Sequence, residues 1–351
     1  MKSIKYSLAA AALSFSVNSL AQLAGHNVIL VHGLQPDNLQ TPPQSQQEVD
    51  NNGYNYWSQF WNENSEARFD WNSTGRIEGE IAINVYNKAV ELAQSGLCDS
   101  GCVMVTHSTG DLVTRYFLEH QEDWLSALGL QPLNILATLD FAGAGGGTEI
   151  ASTAISVATN NSWYNYPLKA AAQAWLGFEI TSAAQLGVLV DLQPTEARNL
   201  ATTPNAIPRL RFVGNGNAYY GATGGFILGT DDGVVPTHSS CGAANAQAYN
   251  SCSNSVAFDG EQTSVSAPSA LMANHFPVLM GQDIHHNGTI GDQVEGLLTY
   301  VNNGVNAGGL QVDFATHTKS TSSWWSGDYT YQYVTGSDQD NMSAIVFNAL
   351  N

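Results

Sequence analysis

The sequence predicts an α/β fold, a mostly parallel central sheet with helices on both faces. Two observations carry this. Short, continuously apolar runs, Val28-Ile29-Leu30-Val31, Val103-Met104-Val105, 135–139 and 210–213, have the character of strands buried on both sides. Between them lie segments whose apolar residues recur at helical spacing, and strands alternating with helices build crossover units.

In chain order, 28–31 is the first strand and delivers the turn His32-Gly33-Leu34. A helix is expected over 77–95, on Ile81, Val85, Ala89 and Leu92, with Gly96 as its stop. A strand at 103–105, a helix over 112–118 and strands at 135–139 and 210–213 follow. The stretch 290–301 reads as a helix through Val294, Leu297, Leu298 and Val301. Between 148 and 205 the pattern becomes Ala-rich and weakly amphipathic, with Trp163, Tyr164, Tyr166, Trp175 and Phe178. That suits a cap or lid over the sheet, or further core helices. No repeat and no Pro-rich linker divides the chain, so one large domain is expected over 22–304. Residues 305–351 form a β-rich aromatic extension, in which Tyr329, Tyr331 and Tyr333 share one strand face that docks on the body.

Residues 1–21 read as a signal peptide. Lys2 and Lys5 give a basic start, the run around Leu8 to Leu13 a short apolar middle, and Ser19-Leu20-Ala21 a small-residue cleavage site. The run is too short for a membrane anchor, and no later segment has the length of a transmembrane helix. Export to the periplasm or the medium is therefore expected. The 351 residues carry 11 Lys and Arg against 30 Asp and Glu, a net charge of −19, which excludes binding to a phosphate backbone and so to nucleic acid. Hydrophobic residues make up 43% and charged residues 12%, a balance that builds a core rather than a disordered chain. The four cysteines fall into two close couples, Cys98 with Cys102 and Cys241 with Cys252. A disulfide within each couple is expected and suits export. Neither couple has CxxC spacing or a histidine at ligand spacing, so they do not read as a zinc site.

The stretch most informative about chemistry is Val103-Met104-Val105-Thr106-His107-Ser108-Thr109-Gly110-Asp111-Leu112-Val113. A strand runs into His-Ser-Thr-Gly and then into a helix, which puts Ser108 on a sharp turn at the C-terminal edge of the sheet, the setting of a nucleophile elbow. The pattern departs from Gly-x-Ser-x-Gly at Thr106. The Thr109 N–H is an unpaired donor at a helix start, where the dipole favours negative charge. The Leu34 N–H, after Gly33 at the end of the first strand, would supply a second donor to the same oxyanion.

A serine hydroxyl becomes nucleophilic when a histidine takes its proton and a carboxylate orients that histidine. Downstream, Gly229-Thr230-Asp231-Asp232-Gly233-Val234-Val235-Pro236 is an acidic turn before an apolar run. Asp232, directly before the glycine, is the candidate orienting carboxylate, with Asp231 as the alternative. Three later histidines are candidates for the base: His275, and the adjacent His285 and His286. His32 and His107 are expected to pack around the oxyanion turn and the elbow.

Together, Val-Ile-Leu-Val-His-Gly-Leu, Thr-His-Ser-Thr-Gly-Asp-Leu-Val-Thr-Arg-Tyr, Gly-Gly-Thr-Glu-Ile-Ala at 146–151, Leu-Gln-Pro-Thr-Glu-Ala-Arg at 192–198 and Asp-Asp-Gly-Val-Val-Pro resemble secreted bacterial triacylglycerol lipases. The closest type is the true lipases of Pseudomonas and Burkholderia. The resemblance covers about Val28 to Val301 and implies an α/β-hydrolase fold with a helical cap at 148–205. In that group the catalytic histidine follows an asparagine and is separated by a long loop from a helix that starts acidic-x-Val. Asn274-His275 and Asp292-Gln293-Val294 match this, which selects His275. The resemblance also implies a structural calcium, bound partly by an acidic residue two positions after that histidine. The position is Pro277 here, and no cofactor is required by the chemistry. A dedicated periplasmic folding chaperone is a further implied partner.

The expected function is a secreted serine carboxylester hydrolase, a lipase acting on lipid or other ester substrates, with an interface as one setting. Ser108, His275 and Asp232 form its triad, and the Leu34 and Thr109 N–H groups its oxyanion hole. A short-chain esterase, a polyester depolymerase or an acyltransferase would use the same residues. The rival of a different class is a non-catalytic binding protein on the same scaffold.

Overall fold

The computed structural model describes residues 22–159, 166–202, 206–217, 219, 222–249, 251–252, 270–323 and 327–350. The expected signal peptide, Trp163 and Tyr164 lie outside the described residues. Seven strands form the main sheet: β1 (Asn27–Val31), β2 (Ala67–Phe69), β3 (Cys102–His107), β4 (Ile135–Phe141), β5 (Arg209–Gly214), β6 (His275–Gln282) and β7 (Leu297–Tyr300). Their order is β2-β1-β3-β4-β5-β6-β7, and every pairing is parallel except that of β7 with β6. The chain starts inside the sheet, steps out to one edge with β2, then crosses to the other side through β3 and onward. This is the α/β-hydrolase fold.

Among the described residues ten α-helices accompany the sheet. After β1 come α1 (Pro36–Gln40), α2 (Gln46–Tyr56) and α3 (Gln59–Glu63). A wide turn at Ile77–Ile81 leads into α4 (Ala82–Ser95), which Gly96 ends in the left-handed conformation. The elbow helix α5 (Gly110–Ser126) follows β3. Then come α6 (Glu149–Thr159), α7 (Tyr166–Leu176), α8 (Pro194–Leu200), α9 (Thr237–Ser240) and the C-terminal α10 (Met342–Leu350).

Alternation along the strands divides the core in two. Ile29, Val31 and Met104 point to one face, where α4, α5 and α6 lay Val85, Leu112, Phe117 and Ile150 against them. Val28, Leu30, Val103, Val105 and Leu139 point to the other, where Trp57 and Trp61 meet Ile345, Val346 and Phe347 of α10. The Trp61 indole N–H donates to Ser343 Oγ at 2.9 Å, which ties α10 to α3. The segment 305–351 thus supplies one wall of the main core. It also carries two hairpins, β8 (Val305–Ala307) with β9 (Leu310–Val312) and β10 (Thr316–Ser323) with β11 (Gly327–Val334). On β11, Tyr333 is buried and Tyr331 half-buried, and the two rings lie 6.0 Å apart. Both disulfides, Cys98–Cys102 and Cys241–Cys252, are formed.

One expected element is corrected. Residues 290–301 do not form a helix, because Leu297–Tyr300 is the antiparallel edge strand β7 and Val294 is exposed. Gly296 takes a φ of 56° against the Gln282 carbonyl and ends any helix there. Apolar residues at 290, 294, 297, 298 and 301 fall at helical spacing, but the glycines at 291 and 296 are the signal against a helix.

Beneath the elbow lies a fully buried ionic lattice. Asp111 on α5 accepts from Arg209 and Arg211, each at 2.7 Å, and from the Gly145 N–H at 2.6 Å. Asp140 on β4 accepts from the Thr106 and Thr138 hydroxyls at 2.7 and 2.9 Å and from both arginines. Burial alone would raise the Asp111 carboxyl, but Arg211 and Arg209 beside it hold it well below the usual carboxylate range. A depressed folded-state pKa contributes stability that is fully present above about pH 4 and is lost as the pH falls through the folded value. Asp111→Ala, which leaves two buried arginines short of a partner, is expected to cost about 3–5 kcal/mol in urea unfolding at neutral pH. Asp111→Asn should in addition flatten the acid limb of stability against pH below about pH 4.

Candidate active site

Ser108 sits between the last residue of β3 and the start of α5 with φ 57°, a left-handed conformation that a non-glycine residue holds only when its surroundings impose it. Two close approaches impose it here. A Cβ on Gly110 would stand 2.1 Å from the Val31 carbonyl oxygen, and one on Gly33 would stand 2.6 Å from the Ser108 Cβ. The end of β1 and the elbow are therefore in direct contact, and only glycine fits at either point. Thr106 takes the place of the first glycine of the motif, and its hydroxyl is satisfied by Asp140.

Three strand ends converge on this turn. Asp232, on the loop after β5, is fully buried; its Oδ1 accepts the Val234 and Val235 N–H groups at 3.0 and 2.7 Å. Its Oδ2 accepts the Nδ1–H of His286, on the loop after β6, at 2.8 Å. The His286 backbone N–H also donates to the Asp232 carbonyl at 3.0 Å, so the two loops are joined twice. Nδ1 being the donor, Nε2 carries the lone pair, and His286 and Ser108 line the same cleft of about 1190 Å³. Asp231 faces elsewhere, accepting the Gly233 N–H at 2.8 Å, and burial raises its carboxyl to about 6.

His275, the histidine selected by resemblance, lies away from this turn. His275 is the first residue of β6, and its Nδ1–H donates to the Ala273 carbonyl at 2.8 Å. In a parallel sheet reacting groups gather at the C-terminal ends of strands. The eight residues of β6 set His275 roughly 23 Å from the end that His286 follows, at about 3.3 Å per residue. Burial, then Arg211 and Arg209 nearby, hold it neutral. His285 points away from the cleft and pairs with Glu295.

Leu34 follows Gly33 and lines the cleft, and Thr109 precedes α5. Neither N–H is bonded to a backbone carbonyl among the described residues. The turn that holds Leu34 is fixed by His32, which donates from Nδ1 to the Gly33 carbonyl at 2.8 Å and accepts the Trp71 N–H on Nε2 at 3.0 Å. Burial lowers the His32 pKa to about 4, so it stays neutral.

Tyr56, not singled out in the sequence, and His107, expected to pack around the elbow, link these parts. Tyr56, at the end of α2, presents its hydroxyl to Gly33, whose backbone hydrogen-bonds to it, and donates to His107 Nδ1. His107 then donates from Nε2 to the His286 carbonyl at 3.0 Å. Burial raises the tyrosine and, with His286 nearby, lowers His107, so the chain is neutral throughout. The Gly33 turn, the elbow and the His286 loop thereby share one hydrogen-bond chain. Position 107 was visible as a motif residue, but nothing in the sequence pairs it with Tyr56.

The calcium implied by the resemblance does not fit these residues. Pro277 lies inside β6, paired with Arg211, and two positions after His286 stands Gly288. Asp292 accepts the Gln59 N–H and Glu295 is held by His285. Among the described residues no group of three or more His, Cys, Asp or Glu is arranged for a metal ion. No helix described is long and apolar enough to cross a membrane.

No protein-family model and no curated protein matches the chain. Among solved structures it is similar to the mature form of the Bacillus licheniformis lipase BlEst2, at 15% identity over 60% of this chain and 76% of that one, with a TM-score of 0.38. It is similar to lipase 1 from Pelosinus fermentans at 13% identity over 75% and 92% of the two chains, TM-score 0.38. With the phospholipase PlaB of Legionella pneumophila the identity is 15%, over 60% of this chain and 44% of that one, TM-score 0.36.

Breaking the Tyr56 chain should loosen the alignment of loops without removing a group that reacts. Tyr56→Phe is expected to lower kcat on a soluble ester about tenfold to a hundredfold, with a smaller change in KM. Steady-state kinetics against acyl ester concentration read the split, and an equal rise in KM would assign Tyr56 to substrate binding instead.

Proposed function

We propose that the protein is a serine carboxylester hydrolase of the lipase and esterase kind. The observation that carries this reading is the pairing of Asp232 with His286 on one cleft with Ser108, which occupies a strained turn at a helix N-terminus. Ser108 Oγ attacks the ester carbonyl while His286 Nε2 takes its proton. Asp232 holds the tautomer and stabilises the imidazolium that forms. The Leu34 and Thr109 N–H groups receive the developing oxyanion. His286 returns the proton to the leaving alcohol, and water deacylates Ser108 by the same route. The chemistry needs no cofactor.

Residues 148–205 act in this reading as the cap, since Ala174, Trp175 and Leu176 at the end of α7 line the cleft. Two disulfides suit an exported enzyme. An acyltransferase would use the same acyl-enzyme with a second alcohol in place of water.

The test separates the two histidines. With a p-nitrophenyl acyl ester, Ser108→Ala and His286→Ala are expected to lose about 10⁴-fold or more in kcat, and Ser108→Ala to lose labelling by an organophosphonate. His275→Ala should keep turnover per folded molecule. Loss of activity in folded His275→Ala with retention in His286→Ala would reverse the assignment, and a wild-type chain that neither hydrolyses esters nor takes up the phosphonate would refute the enzyme.

A further inference from the structure

The cleft that holds Ser108 and His286 is lined by residues of two unlike kinds. Leu34, Trp175, Leu176 and Val234 contribute apolar side chains. The segment after β1 adds a wall rich in amides, among them Gln40, Gln44, Asn52 and Asn55, interleaved with Pro36, Pro42 and Pro43, with Asp37 and Glu48 as its charges. Among the described residues no Lys or Arg lines the cleft, and the protein as a whole is strongly acidic.

Amide side chains offer both donors and acceptors and carry no charge, so they match hydroxyl groups. Covered by acyl chains they would lose their water and gain no partner, a cost that a fully acylated glycerol imposes along the whole wall. Asp37 and Glu48, with no cation to offset them, oppose a phosphate or carboxylate on the alcohol side. At about 1190 Å³ the cleft holds an acyl chain and a bulky alcohol together.

Deepening the ester-hydrolase reading, on which it rests, we infer that the preferred substrate is a fatty acyl ester of a neutral, polyhydroxylated alcohol such as a sugar, with its acyl chain against Trp175 and Leu176 and its hydroxyls against the amide wall. Gln40 and Asn55, both exposed on that wall, are specificity-determining residues.

The experiment holds the acyl chain constant and varies the alcohol. Wild type is assayed on sucrose monolaurate, trilaurin, lauroyl lysophosphatidate and p-nitrophenyl laurate, with Ser108→Ala as the blank. The expected order in kcat/KM is sucrose ester above trilaurin by about tenfold or more, and lysophosphatidate lowest. Gln40→Leu with Asn55→Leu should shrink the ratio of sucrose ester to trilaurin, a readout independent of how much protein is folded. Asp37→Asn with Glu48→Gln should raise the relative rate on lysophosphatidate. Trilaurin or lysophosphatidate cleaved as well as the sucrose ester, or a ratio unmoved by the double leucine variant, overturns the inference. Hydrolysis of p-nitrophenyl laurate in that case leaves the ester-hydrolase reading standing. Absence of Ser108-dependent hydrolysis of all four esters overturns both.

Discussion

The arrangement of the site depends on the buried lattice of Asp111 and Asp140 with Arg209 and Arg211. Four charges without water are expensive, and such groups are offset only when geometry and hydrogen bonding are complete. Here both carboxylates are saturated by guanidinium, hydroxyl and backbone donors. The members come from α5, β4 and β5, so the lattice fixes the elbow helix against the two strands that follow it in the sheet. Thr106 belongs to the same lattice. A residue larger than glycine fits at that point of the elbow because its hydroxyl becomes a donor to Asp140.

Burial around the elbow also decides protonation. His32 and His107 are each held neutral, and in each the tautomer follows from the partners: a carbonyl for the nitrogen that donates, an N–H or a phenol for the one that accepts. His238 and His285 meet carboxylates too, but neither lines the cleft with Ser108. His286 alone among the described histidines joins a buried carboxylate on Nδ1 to a position on that cleft. In the proposed mechanism this ring transfers the proton, while His32 and His107 tie neighbouring loops together.

Much of this was legible in the sequence where a local pattern has one structural meaning. The apolar runs at 28–31, 103–105, 135–139 and 210–213 all became strands, and Ser108 fell on the turn between a strand and a helix. Asp232 could be favoured from its place before Gly233. His275 against His286 could not be resolved locally, because the answer depends on which of them precedes a strand and which follows it. Phe276-Pro277-Val278-Leu279-Met280 is an apolar run of strand length, and taking it as β6 would have placed His275 at the N-terminal end of that strand, opposite the end that His286 follows. The resemblance pointed the other way, since it required a helix at 292 that Gly296 forbids. Tyr56 was illegible for a different reason: its partners lie at positions 33 and 107, and only the fold brings them together.

The excursion between β1 and β2 gives the site its coupling. In the proposed mechanism the reacting groups come from the loops after β3, β5 and β6, while residues 35–56 supply the amide-rich part of the cleft lining, in a segment that begins at Leu34 and ends at Tyr56. Its first residue is an oxyanion donor in the proposed mechanism and its last touches the turn that carries that donor. In this reading, contacts made by the alcohol part of a substrate bear on a segment anchored at both ends to the Gly33 turn. Binding energy from hydroxyls remote from the ester carbonyl can then be expressed where charge develops, which is the condition for it to raise kcat rather than only lower KM.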